Sequence, residues 1–157
     1  MKLTKERGGR TACVKGEIFF SEGIVGFAEH KRFYIDEQRS REPFLWLQSS
    51  ENRDLSFILI NPKECDPGYD PMLSEQDKNV LQINDISSCQ CFSIVFIPKD
   101  SDRISVNLLA PIVINKSKQL ARQIVLQDQD YSVQHLILDE MMKQIGEKDV
   151  SSFAKTK

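Results

Sequence analysis

Asn107-Leu108-Leu109-Ala110-Pro111-Ile112-Val113-Ile114-Asn115 is the stretch on which the fold turns. Two β-rich runs flank a proline that has no N–H to give to a strand ladder, so Pro111 belongs at a bend, a bulge or an edge that separates them. The same rhythm extends outward in both directions. From residue 13 to residue 138, short runs rich in Ile, Val, Leu and Phe alternate with polar clusters containing Gly, Pro, Asn, Asp or Ser. Strands are predicted at 14–20, 32–35, 44–48, 55–60, 93–97, 104–109, 112–115 and 121–126. So many strands with so few helices between them predict a mainly β protein, a small antiparallel β-barrel-like or sandwich domain.

One short internal helix is predicted. It starts near Ser74, whose hydroxyl can cap free backbone N–H groups, carries Glu75 and Asp77 in its first turn, and ends before Leu81. At the other end of the chain, Leu136, Ile137, Glu140, Met141, Gln144 and Ile145 recur at helical spacing, with Gly146 as a stop. A C-terminal helix is therefore expected over 139–145, while 133–138 reads equally as a last strand. Residues after Gly146 lack a periodic apolar face and are expected to fray. The expected organisation is a flexible basic arm at 1–12, one β domain at 13–138 and a C-terminal extension at 139–157.

Composition excludes several classes. The 157 residues carry 21 Lys plus Arg against 23 Asp plus Glu, a net charge of −2, so no basic excess calls for nucleic acid. Lys2, Lys5, Arg7 and Arg10 form a basic arm without the aromatic interleaving of an RNA-binding motif. The run 108–114 is far short of the ~18 apolar residues of a membrane span. The charged N-terminus is not followed by the apolar stretch of a signal peptide. Cysteines at 13, 65, 89 and 91 are too few and scattered for a disulfide scaffold. A cytoplasmic protein with reduced thiols is the expectation.

Signals for chemistry are weak. Cys89-Gln90-Cys91 is a C-x-C without a second pair at zinc spacing, and on a strand its two thiols would share one face as small apolar groups. His30 sits in a polar turn, and neither it nor His135 has a local partner that would make a catalytic or metal set. No nucleophile elbow, metalloprotease helix or phosphate-cradling loop occurs. No enzyme activity, cofactor or metal is expected. The informative polar feature lies between residues 61 and 85, where Glu64, Asp66, Asp70, Glu75, Asp77 and Asp85 face only Lys63 and Lys78. Six acids against two lysines leave an excess of four negative charges, enough to steer a basic partner.

Taken in order, the motifs resemble those of the flagellar assembly factor FliW family over roughly residues 14–138. The matching pieces are Gly23-Ile24-Val25-Gly26-Phe27, Pro43-Phe44-Leu45-Trp46-Leu47-Gln48-Ser49, Phe57-Ile58-Leu59-Ile60-Asn61-Pro62 with Tyr69, the 107–115 stretch, and Ala121-Arg122-Gln123-Ile124-Val125-Leu126 with Tyr131. Several have structural work to do: Gly23 and Gly26 would make a tight corner that seats Phe27, while Phe44, Trp46, Phe57, Leu59, Ile112 and Ile114 fit a core. Gln48, Asn107 and Asn115 adjoin strand ends, where they either close loops or meet a partner.

The resemblance implies a β-barrel-like protein that works by binding. Family members bind flagellin and the RNA-binding regulator CsrA: flagellin accumulating in the cytoplasm occupies FliW and frees CsrA to repress flagellin translation, and export of flagellin lets FliW recapture CsrA. On that basis the candidate partner-binding residues are Glu64, Asp66, Asp70, Glu75, Asp77, Gln48, Asn107 and Asn115. Two alternatives remain at this point: a β-rich carbohydrate- or peptide-binding module for an extracellular ligand, and an enzyme with a cysteine nucleophile at Cys65 or Cys91.

Overall fold

All residues of the strand Phe44–Ser49 are buried. Burial at successive positions requires cover on both faces of a sheet, and the computed structural model, which describes residues 14–99 and 103–137, shows what supplies it. The strands in chain order are β1 (Ile18–Phe20), β2 (Arg32–Ile35), β3 (Phe44–Ser49), β4 (Ser56–Ile60), β5 (Gln90–Phe96), β6 (Ser105–Val106), β7 (Ile112–Asn115), β8 (Leu120–Gln123) and β9 (His135–Leu136). A single α-helix among the described residues, α1 (Glu75–Leu81), lies between β4 and β5.

Seven strands close a barrel in the order β4-β3-β2-β1-β8-β7-β5, sealed by pairing of β4 with β5. The sandwich alternative is thereby excluded. Pairing is antiparallel except at one seam, where β1 runs parallel to β8 with Phe19 opposite Leu120. That seam is reinforced by Gln119, whose Nε2 donates to the carbonyls of Lys15 and Glu17 at 2.7 and 2.8 Å. Gly16 passes close by with φ +82, and the bend shortens the first strand, expected over 14–20, to Ile18–Phe20.

Pro111 stands at the bend the sequence required. The first part of β5, Gln90–Phe92, pairs with β7, while Val95 and Phe96 pair with β6. Between them Asn107 donates its N–H to the Ile94 carbonyl at 2.9 Å. Its Oδ1 accepts from the N–H groups of Leu109 and Ala110 at 3.1 and 3.0 Å, turning the chain. The strand expected over 104–109 therefore stops at Val106. The run expected over 121–126 ends at Gln123 for a related reason: the Ile124 and Leu126 N–H groups leave the β7 ladder and donate to Pro111 and Leu109.

Three apolar clusters follow from this topology. Ile18, Phe20, Phe33, Leu45, Leu47, Leu59, Phe92, Ile112, Ile114 and Ala121 come from all seven barrel strands and fill its interior. Outside the barrel, Phe44 and Trp46 pack with Ile58, Ile60 and Val95 beneath a flap made by β6 and β9. On another outer face, Leu81 of α1 and Tyr69 pack over Val113, Ile124 and Leu126. Each side chain fully withdrawn from water contributes ~1.5–3 kcal/mol before chain entropy is counted.

The helix carries the expected cap and a longer C-terminus. Ser74 Oγ accepts from the Asp77 N–H at 3.0 Å and Asp77 Oδ2 accepts from the Ser74 N–H at 2.9 Å, a reciprocal capping box. The helix includes Leu81, which was expected to lie beyond its end, and stops at Gln82 in a left-handed conformation. Burial of Leu81 against the barrel holds that last residue in the helix. At the other end of the domain, His135–Leu136 pairs with β6, so of the stretch read equally as a last strand, 133–138, the structure makes residues 135 and 136 a closing strand, after a bend at 133 and 134. The expected basic arm at 1–12, the helix over 139–145 and the tail beyond it lie outside the described residues.

Candidate functional site

The acidic connection between β4 and β5 separates into inward and outward carboxylates. Asn61 Oδ1 accepts from the Lys63 N–H and starts a 3-10 turn, Pro62–Glu64. Asp66 Oδ1 accepts from the Gly68 N–H at 3.2 Å, tightening the next turn. Tyr69 then plunges inward: its hydroxyl donates to the Leu108 carbonyl at 2.6 Å, and its ring lies 4.5 Å from that of Tyr131. Tyr131 Oη in turn accepts from the Asp70 N–H, and Gln129 clamps the Asp70 carbonyl and Met72 N–H. These bonds fasten the backbone of the connection to the chain after β8.

Glu64 and Asp70 are exposed and form no ion pair among the described residues. Glu75 is also exposed and is joined to Lys78 at 3.3 Å. Asp77 is different. It is buried, with Oδ1 3.1 Å from Arg122 Nε on β8 and Oδ2 committed to the capping box. Its side chain fixes the helix to the barrel.

The three amides also turn inward. Gln48 is buried, its Oε1 accepts from the Trp46 indole N–H at 3.2 Å, and its Nε2 lies within reach of the Leu55 carbonyl at 3.0 Å and of three neighbouring carbonyls in the β3–β4 turn. Asn115 is buried and donates from Nδ2 to the Leu81 carbonyl at 2.7 Å, satisfying an acceptor that the helix end leaves open. Asn107 makes the turn described above. Their side-chain hydrogen bonds build loops.

The thiols have the environment of packed residues. Cys89 and Cys91 both pack against the cluster around Tyr69, which is the shared face expected for this spacing. Burial pushes Cys91 up to about 12, Cys89 up to about 11, and Cys65 up to about 11 with Glu64 and Asp66 adding to the effect. A nucleophilic cysteine needs the opposite shift. Among the described residues no group of three or more His, Cys, Asp or Glu stands where it could hold a metal ion, and no helix is long and apolar enough to cross a membrane.

A groove of about 890 Å³ opens at the end of the barrel where β3 begins, β4 ends and β5 begins. Its lining includes Leu45 and Phe92, two residues of the barrel-interior cluster. Glu42, Glu64 and Asp70 stand around it with Lys63 as the lysine among its lining residues. Glu42 was missed by counting charges along the sequence, because it precedes the 61–85 connection by some distance. Antiparallel pairing of Phe44 with Ile60 is what brings it there. A hairpin register places residues just before one strand beside those just after the next, and that was the signal available.

The fold and this surface define a small closed β-barrel that presents an acidic groove at one end. A model of the FliW protein family matches residues 2–137. Relatives named flagellar assembly factor FliW include that of Ruminiclostridium cellulolyticum, 42% identical over 128 residues that cover 81% of this chain and 86% of that protein. Those of Geobacter sulfurreducens and Leptospira interrogans are 35% and 33% identical, covering 89% and 91% of this chain and 88% and 96% of theirs. A crystal structure of the flagellar assembly factor FliW superposes with a TM-score of 0.69 at 33% identity, covering 76% of this chain and 84% of that one. The chain belongs to the FliW family.

Proposed function

We propose that the protein is a non-enzymatic flagellar assembly factor of the cytoplasm that binds flagellin and, when flagellin is scarce, binds CsrA and relieves its repression of flagellin synthesis. Family membership supports the flagellar role. The physical observation that carries the CsrA half is the pair Glu64 and Asp70, exposed and outside any ion pair among the described residues, on a connection whose backbone is fastened at Asp70. A protein that grips RNA phosphates must present positive charge. Fixed carboxylates attract such a surface over roughly a Debye length, ~8 Å at physiological salt, and once docked oppose the approach of RNA.

The partner surface proposed here consists of Glu64, Asp66, Asp70 and Glu75. Asp77, Gln48, Asn107 and Asn115 support it from within. The test is stopped-flow association with CsrA at two salt concentrations, using wild type and a variant with Glu64, Asp66 and Asp70 reversed to lysine. Slower association and a flatter salt dependence in the variant support the assignment, and unchanged kinetics remove it. A cysteine-dependent activity has no support from the raised thiols.

A further inference from the structure

We infer that the groove at the barrel mouth seats an extended peptide segment of a protein partner, one in which an apolar side chain is flanked by lysine or arginine. This rests on the proposed partner-binding function and specifies what the groove accepts. Its volume, about 890 Å³, lies within the ~300–1,000 Å³ range of ligand-binding clefts, and barrel mouths are a common place for them. Leu45 and Phe92 in its lining offer an apolar side chain somewhere to leave water.

The walls define the rest of the occupant. Pro43, Pro62 and Pro71 contribute no N–H donors, and Glu42, Glu64 and Asp70 are acceptors when ionised. The Tyr69 hydroxyl is spent on the Leu108 carbonyl. An acceptor-rich wall is satisfied by a donor-rich ligand, and three carboxylates against Lys63 leave an excess of two negative charges for it to neutralise. A flexible small molecule would meet the same charges, but the lining is drawn from four separate stretches, 42–45, 61–64, 69–71 and 86–92, a spread that suits a chain lying across it. Barrel closure pairs β3 and β5 with β4 on both of its edges, so strand addition is unavailable at this end. Recognition there rests on side chains.

The test is a titration of the isotope-labelled full chain, followed by amide chemical shifts, with a short peptide carrying a central leucine between arginines and with its twin carrying glutamates instead. The expected result is saturable shifts at Glu42, Lys63 and Gln90 with the arginine peptide alone, and at least tenfold weaker binding to the double variant Glu64→Lys, Asp70→Lys. The backbone, not the side chain, of Asp70 holds the connection, so this variant keeps the fold, as circular dichroism would check. Asp54→Lys, in the exposed β3–β4 turn at the opposite end of that hairpin, should leave affinity within about twofold. No shifts in the groove, shifts elsewhere only, or equal weakening by Asp54→Lys would overturn the inference. Titrations with whole flagellin and CsrA separate it from the functional proposal: partners that bind while the groove stays silent refute the groove alone, and a groove that fills while neither partner binds refutes the partners alone.

Discussion

Asp77 and Arg122 meet at 3.1 Å between α1 and β8, both largely withdrawn from water, and Arg122 extends on to Glu22 at 3.3 Å. The contact joins the acidic connection to the parallel seam of the barrel. Removing the carboxylate leaves a guanidinium short of a partner and abolishes half of the capping box. Asp77→Ala is expected to cost ~1–3 kcal/mol in urea unfolding. Glu75→Ala, exposed on the same helix, should change stability by less than ~0.5 kcal/mol.

Gln48 tests the amide network. Gln48→Leu fills the space but strips the Trp46 indole N–H and the turn carbonyls of their bonds. The expected loss is ~1–3 kcal/mol, the usual cost of orphaned buried polar groups, read as a lower urea midpoint with an unchanged slope.

Gly23 and Gly26 offer a paired comparison within the corner that seats Phe27 on Phe57, whose rings lie 5.4 Å apart. Both have positive φ, +68 and +89. A Cβ at Gly23 would fall 2.6 Å from the Ala28 Cα, whereas one at Gly26 meets nothing within 4 Å. Alanine at either position pays the backbone strain, ~1 kcal/mol. Gly23→Ala must also move the backbone of Ala28, so it should destabilise more than Gly26→Ala in the same unfolding assay.

The thiols predict an alkaline weakness. Burial raises Cys65, Cys89 and Cys91 from 9.0 to about 11, 11 and 12, so the folded state holds them protonated where the unfolded chain ionises. Their contribution is present below pH 9.0 and is lost as pH rises through about 11 to 12. In a Cys13→Ser background, thiol labelling at pH 7 should be slow in the native protein and accelerate on unfolding. Equally fast labelling of the native protein would show an activated thiol.

Strand identity was legible because β-branched and aromatic runs alternate with turn residues; 32–35 and 112–115 match β2 and β7. Boundaries were less so. Asn107 and Gly16 stop strands through a side-chain turn and a positive φ, neither of which hydrophobic rhythm encodes. The parallel seam depends on β1 and β8 meeting across most of the chain, a contact that local pattern does not reveal. Charge counting found the acidic connection but not its geometry: Asp77 turns inward to Arg122, and Glu42 reaches the same groove through hairpin register. The amides at 48, 107 and 115 stood out as polar residues at strand ends, and folding uses their side chains to close those ends.

The proposed function requires one protein to exchange two partners. The most direct measurement is a calorimetric titration of the full chain with CsrA in the absence and presence of saturating flagellin, repeated at higher salt. The expected result is CsrA binding that flagellin abolishes and that salt weakens. CsrA binding undiminished by saturating flagellin, or no binding of either protein, would contradict it.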